Sequence, residues 1–593
     1  MYEFKIKIYK KDGVKWANQK VRFYIGYENL SEEQVEFKNA VTYNLENGSI
    51  VKTKLDNQGT FKKKVNEYWK EKTITLPNVK EGSILEYSYV LKTENLVKLP
   101  DFDFQYEIPV NYFECKTEIP EFYIYKNIVT GKQAIETDSK IVNSSNSFDN
   151  AYGRTNVMWY KQINNLFTGK NIPALHDEPY INNIDNFKGS LQFELERVRM
   201  PDQPVKDYTM TWDGVAATIF KDDHFGKELN KGDFLDDDIN RLLANVKAPK
   251  ERLEVIFRFV QEKMNWNEKN GYLTDLGVTK AYAEKTGNIS DINLILIRML
   301  QKAGIEANPV LVSTLENGVP VYPTRIGFNY VIASAEIDGN QILLDASHKY
   351  TALNILPLNL LNWKGRLIKK DGTSKEINLV PEIPSKEFSS LAAAIDERGI
   401  LKGKIRIQRT DYDAYDFRVR NADRNQENYL EKLEQELGNL KISEYKLENK
   451  KTNMGEPISE GFSFESNNVS EIIGGKIFIN PMLFFANSKN PFNQENRQMA
   501  VYLGYPSLKK FTMNLEIPEG YVIESLPGRV KIALEDKSVI FTLNVSSDGN
   551  KIQFSSLKEI NNSIFAAEGY QGLKDVFQKI IDSQNQKIVL KKA

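Results

Sequence analysis

The sequence predicts a multidomain chain: a β-sandwich first, then an α+β core, then one or more β-sandwich domains with a terminal helix. Three observations predict it. The 593 residues amount to about four domains of ordinary size. Apolar residues recur at every second position in both flanks of the chain but at three- and four-residue steps from about residue 235. Short strand-like runs separated by turn residues fill both flanks, at the spacing of sandwich strands. The expected segments are 1–175 (β-sandwich), 176–235 (connector with a strand and helix), 236–372 (α+β core), 373–490 (β-rich) and 491–593 (β-domain with terminal helix).

The first segment alternates in Phe4-Lys5-Ile6-Lys7-Ile8-Tyr9, in Val21-Arg22-Phe23-Tyr24-Ile25 and in Ile84-Leu85-Glu86-Tyr87-Ser88-Tyr89. Lys11-Asp12-Gly13 and Asn47-Gly48 are turn signals between such runs. Asn143-Ser144-Ser145-Asn146-Ser147 reads as a polar loop. The Pro- and Asn-containing stretch 171–190 is a connector, followed by a strand at Leu191–Val198.

In the core, Leu253, Ile256, Phe257, Val260 and Met264 mark an amphipathic helix. Ile292–Leu300 is apolar around most of a helical circumference, which predicts a buried central helix ended by Gly304. Strands follow at Pro309–Val312 and Tyr330–Ala335, then an Asp338-Gly339 turn and Ile342–Asp345. β character returns from about 373, in Gly399–Ile407, Phe511–Ile517 and Val539–Val545. A Glu- and Asn-rich helix near 425–438 interrupts it. Leu573, Val576, Phe577, Ile580 and Ile581 mark the terminal helix.

Composition narrows the function. Hydrophobic residues make up 41%, aromatic residues 11% and charged residues 27%, enough apolar surface to offset chain entropy. The 79 Lys and Arg against 80 Asp and Glu leave a net charge of −1, which weighs against whole-protein binding to nucleic acid or an anionic membrane. The single cysteine, Cys115, rules out an intramolecular disulfide. With His176, His224 and His348 as the only histidines, it also rules out zinc sites of the usual spacing. No apolar run is long enough to span a bilayer. The start, MYEFKIKIYKKDG, reads as a strand rather than an export signal, so a mature or a cytoplasmic chain is expected. No cofactor and no metal is expected. Asp236-Asp237-Asp238 lacks the spaced ligands and glycine of a calcium loop.

The order of helix, Gly287-Asn288-Ile289-Ser290-Asp291, buried helix, Ala303-Gly304-Ile305, strand, Phe328-Asn329-Tyr330-Val331-Ile332, turn and Leu343-Leu344-Asp345 resembles the transglutaminase-like, papain-related superfamily. NIPALHDEPY, TWDGVAATIFKDDHFG and the tail IPEGYVIESLP with IVLKK resemble a multidomain family common in Bacteroidota, with β-domains on both sides of such a core. The resemblance covers nearly the whole chain. It implies a papain-like core and an exported protein of the periplasm or cell envelope of a Gram-negative bacterium.

In active relatives the first motif reads Gly-x-Cys-x-Asp, a histidine sits on the next strand and an aspartate on the one after. Here the nucleophile position is Ile289 and the histidine position is Tyr330; only Asp345 matches. The chemistry needs a thiolate at a helix N-terminus and an imidazole to move its proton. Isoleucine has no lone pair, and tyrosine, with a pKa of about 10, is a poor base at neutral pH. A pseudoenzyme is the expected outcome.

Other residues nearby are candidate substitutes. Ser290 adjoins the nucleophile position, but one helical step turns its side chain by about 100° away, and a capping role for Ser290 or Asn288 fits better. Asp291 is expected to cap or charge the helix N-terminus. His348 reads as a loop histidine near the cleft rim, Cys115 as a buried apolar side chain, and most tryptophans as core. Asn288, Ser290, Asp291, Asn293, Asn329, Tyr330 and Asp345 are the candidate lining of a polar remnant cleft that takes an extended peptide. Three readings stand open: an inactive binding or scaffolding module with a protein or peptide partner, a hydrolase or acyltransferase using Ser290 with His348 or Asp345, and a glycan- or partner-binding protein acting through its β-domains.

Overall fold

The computed structural model describes residues 1–593 apart from 27–29, 57–58, 66–68, 98, 150–154, 202, 209–210, 321 and 325–326. The chain forms two compact units. One comprises 1–174 and 189–209, the other 175–188 and 210–593.

The first unit is built of paired sheets. Tyr2–Lys7, Ile84–Lys92, Gln34–Glu46 and Ser49–Lys54 form one sheet in that spatial order, and Asn18–Tyr24, Trp69–Thr75 and Thr60–Lys64 form another. Alternation along each strand turns one side chain in two inward, so Ile6, Ile8, Ile74, Leu76, Leu85 and Tyr87 meet between these sheets. A second core gathers Phe104, Phe113, Phe167, Ile172, Leu191 and Phe193. It lies between the sheet of Val110–Pro120, Thr155–Ile172 and Glu136–Asp149 and the sheet of Tyr123–Val129 and Ser190–Val198. Two expectations change here. The stretch 143–147 is strand rather than loop, because each residue pairs across to Thr155–Ile172, as Ser144 does to Tyr160, and register overrides weak β propensity. The strand Ser190–Val198, expected in the connector, belongs to the first unit through its pairing with Tyr123–Val129.

The second unit opens with helices. Pro249–Lys263 and Val278–Glu284 pack on the central helix Ile289–Lys302, whose apolar residues from Ile292 to Leu300 are all buried, and Trp212–Lys221 adds to the same core. Gly304, at φ +80°, ends it. An antiparallel sheet follows, in the order Asn340–Leu344, Tyr330–Ile337, Glu306–Val312, Lys364–Ile368, Ser374–Asn378. Leu311, Val331 and Ala333 face the central helix. Val310, Val312, Tyr330 and Ile332 face the other way, onto Leu356, Leu360, Leu361 and Tyr412 and Tyr415 of the helix Asp411–Asn421. No periodicity in the sequence predicts the helix at 411–421.

An eight-stranded sheet completes the unit. Its order is Lys441–Glu448, Ile458–Ser466, Leu401–Arg409, Ser385–Ile395, Ser507–Glu516, Lys551–Ile560, Val539–Asp548, Val530–Ala533. Ser385–Ile395 and Ser507–Glu516 run parallel and the remaining pairs antiparallel. The boundary expected at 490 is therefore not a boundary of the fold: strands from both sides of it hydrogen-bond into one sheet. Its inner face packs Leu391, Ile405, Phe511 and Met513 with Leu573, Val576 and Ile580 of the helix Tyr570–Gln584. A strand, Ile588–Lys592, follows that helix and pairs with Lys476–Ile479 and Tyr521–Ser525. No helix among the described residues is long and apolar enough to cross a membrane.

Candidate functional site

The site is set by the start of the central helix. Asn288 is its N-cap: the side chain accepts from the Asp291 amide at 2.8 Å, and the Asp291 carboxylate accepts in return from the Asn288 amide at 3.0 Å. This reciprocal box satisfies two amides that a helix end leaves unpaired. Asp291 also accepts from the amides of Leu276 (3.3 Å) and Gly277 (3.0 Å). Burial pushes its carboxyl above the usual range, against the pull of those amides. Gly287 is required for close approach: a Cβ there would sit 2.6 Å from the Asp291 Cβ and 3.2 Å from the Ala281 Cβ.

Ile289, the first helical residue, is wholly buried and packs in one apolar cluster with Tyr330, Val310, Ile332 and Leu356. Ser290 is also buried and donates to the Tyr272 carbonyl at 2.8 Å. It bonds neither His348 nor Asp345, so the Ser290-centred site is not assembled.

The two strands bring the other positions together. Asp345, wholly buried, accepts at Oδ1 from Asn293 Nδ2 (2.9 Å) and from the Ser347 amide (2.9 Å) and hydroxyl (2.5 Å). Its Oδ2 accepts from the Tyr330 hydroxyl at 2.7 Å and lies 3.4 Å from His348 Nδ1. Burial drives this carboxyl upward. The hydrogen bond and charge of His348 and the bonds from Ser347 and Asn293 outweigh that and hold it at about 2. Burial and the Asp345 carboxylate push the Tyr330 phenol well above its ordinary value, so it serves as a proton donor in the hydrogen bond rather than as a base. Asn293 ties the helix to the sheet, donating also to the Val331 carbonyl and accepting from the Ala346 amide.

His348 is the member that sequence reading leaves on a loop. Its Nδ1 lies 2.9 Å from Ser347 Oγ and 3.3 Å from the Tyr330 hydroxyl, and its ring lies against Trp266 with centroids 5.0 Å apart. The side chain is 27% exposed, so the network reaches solvent only at its imidazole edge. The run Asp345-Ala346-Ser347-His348 carries the signal, but only as four neighbouring letters.

The candidate cleft residues do not line an open groove. Asn288, Ser290, Asp291, Asn293, Tyr330 and Asp345 are all buried, and each polar group is bound inside the protein. Asn329 is half-buried and pairs with Thr314 through both its amide oxygen and its amide nitrogen. An extended peptide needs free main-chain edges and unfilled side-chain pockets. Here Ile289 and Tyr330 are buried in one apolar cluster, and the polar groups are already paired.

Cys115 lies half-buried in the first unit, and burial pushes its thiol up to about 11. Among the described residues no group of three or more His, Cys, Asp or Glu is placed to hold a metal ion.

Two domains of unknown function match parts of the chain: DUF3857 over residues 1–149 and DUF3858 over residues 475–590. Among solved structures, a putative protease from Parabacteroides distasonis is similar over 99% of this chain and 94% of its own, at 14% identity and a TM-score of 0.56. A putative cysteine protease from Cytophaga hutchinsonii aligns over 47% of this chain and 86% of its own, at 14% identity and a TM-score of 0.17, too low to carry weight. No curated protein matches. At 14% identity the likeness is one of fold: a β-rich multidomain chain around an α+β core.

Proposed function

We propose that the chain is a catalytically inactive transglutaminase-like protein, a binding or scaffolding module for a protein or peptide in the bacterial cell envelope. One observation carries this reading. The residue that opens the central helix, where the resembling enzymes hold their thiol, is a buried isoleucine in one apolar cluster with the tyrosine that stands in place of their histidine. The retained Asp345 has become the anchor of a closed hydrogen-bond network, which supports a structural role for the old triad positions. With the cleft filled, recognition falls to the flanking β-regions. The envelope location follows the family resemblance.

A second reading is favoured by one contact. Ser347, His348 and Asp345 touch one another, so a serine hydrolase centred on Ser347 is the alternative. The Ser347 hydroxyl donates to Asp345 rather than to the imidazole, which disfavours it as a nucleophile.

The purified chain, assayed on casein and on small amide and ester substrates, is expected to show no turnover. The Ile289→Cys, Tyr330→His double variant is expected to remain unreactive toward a thiol-labelling reagent at position 289 until unfolded. Turnover by the wild type that Ser347→Ala abolishes would replace the first reading with the second.

A further inference from the structure

A concavity of about 360 Å³ opens on the outer face of the eight-stranded sheet, over three adjacent strands. Leu401–Arg409 contributes Arg406 and Gln408, Ser385–Ile395 contributes Phe388 and Ser390, and Ser507–Glu516 contributes Lys510 and Thr512. Register places them as two rows of three. Gln408, Phe388 and Lys510 stand abreast in one row, and Arg406, Ser390 and Thr512 in the next. Strand spacing makes this array about 10 Å wide and about 7 Å deep, with the two cations at opposite corners. The intervening residues Ile407 and Phe511 point into the core, which holds the array rigid from below.

The charges at the array differ from those beside it. Further along the same strand, Lys404 is bridged to Glu444 at 3.0 Å and Lys402 to Glu465 at 2.9 Å. Among the described residues no carboxylate lies within ion-pair distance of Arg406 or Lys510. Arg406 Nε makes one long contact, 3.4 Å, to Ser459 Oγ. Gly461, opposite Arg406 on the neighbouring strand, leaves that flank open. Between the cations Phe388 remains 39% exposed, an aromatic face in a charged setting. Hydroxyls of Ser390 and Thr512 and the amide of Gln408 complete the surface.

We propose that this face binds an acidic oligosaccharide, with one sugar ring over Phe388, carboxylates of successive sugars held by Arg406 on one side and Lys510 on the other, and hydroxyls by Ser390, Thr512 and Gln408. The two cations call for an anionic ligand, and a guanidinium is suited to a carboxylate by its fork of donors. A peptide fits less well. These three strands sit inside the sheet with both edges paired, so they offer no main-chain groups for strand addition, and recognition must come from side chains alone. A ring rich in hydroxyls matches a floor of one aromatic ring and neutral polar groups. The site is independent of the inactive-core reading.

The test is isothermal titration calorimetry of the full chain at low salt, with trigalacturonate as probe, maltotriose as neutral control and hexaglutamate as acidic control. Saturable binding of trigalacturonate is expected, weakened at least tenfold by Arg406→Gln and by Phe388→Ala and reduced by added salt, with no response to maltotriose. These exposed substitutions are expected to leave the unfolding midpoint unchanged. Absence of trigalacturonate binding, or binding that Arg406→Gln and Lys510→Gln leave intact, overturns the proposal. Hexaglutamate binding as tightly, with the same sensitivity to substitution, overturns the saccharide assignment.

Discussion

Replacing Tyr330 with phenylalanine isolates the hydrogen-bond network centred on Asp345. The ring and its apolar contacts are kept; only the hydroxyl is lost. In the wild type that hydroxyl donates to Asp345 Oδ2 at 2.7 Å, leaving His348 Nδ1 at 3.4 Å as the other partner of that oxygen. Both residues are buried, so water does not replace the missing donor. Leaving a buried charged acceptor short of one donor costs about 2 kcal/mol, roughly a thirtyfold change in an opening equilibrium. Asp345→Asn costs more, about 3–5 kcal/mol, because it removes the charge that four hydrogen bonds and the imidazole converge on and points an amide donor at other donors. The assay is amide hydrogen exchange over the strand Tyr330–Ile337, which reads opening of this domain separately from the rest of the chain. The two substitutions act on one contact, so the double variant should lose less than the sum of the single losses. A change below twofold in Tyr330→Phe, or strict additivity of the pair, would refute the view that the network is structural.

Two further predictions concern the same region. Asp345 is held at about 2 in the folded state against an ordinary 3.8, so folding favours its ionised form. Its contribution, about 2 kcal/mol, is complete above about pH 4 and is lost as pH falls through 2. Exchange over Tyr330–Ile337 should accelerate across that window in the wild type, and Asp345→Asn should flatten this dependence; an equally steep response in the variant would contradict the assignment. Gly287→Ala forces a methyl group against Asp291 and Ala281, and overpacking at the helix start should cost about 2–3 kcal/mol by thermal unfolding. A variant as stable as the wild type would show that the capping box has room the geometry denies.

Local signals carried much of the fold. The central helix is legible because Ile292–Leu300 is apolar all round, and its end because Gly304 takes a positive φ that other residues resist. The Asp338-Gly339 turn is legible for the same reason, both residues having positive φ, at 52° and 76°. The helix Asp411–Asn421 is not, because its buried positions Tyr412, Ala414, Tyr415, Phe417 and Arg418 follow no clean stripe, and what holds it is packing against the five-stranded sheet. At the candidate site, isoleucine at 289 and tyrosine at 330 can be read as letters. That Asn288, Asn293 and Asp345 would turn inward to each other and to backbone, rather than line a groove, cannot.

By itself the sequence determined the β–α+β–β order and the helix and turn boundaries marked by glycine, since each rests on residues close together in the chain. The tertiary structure alone decided that strands on both sides of residue 490 share a sheet, that His348 joins Tyr330 and Asp345, and that Arg406, Phe388 and Lys510 share one face. Those outcomes depend on pairing register and packing between distant segments, where the free energy of burial, not local propensity, selects the partner.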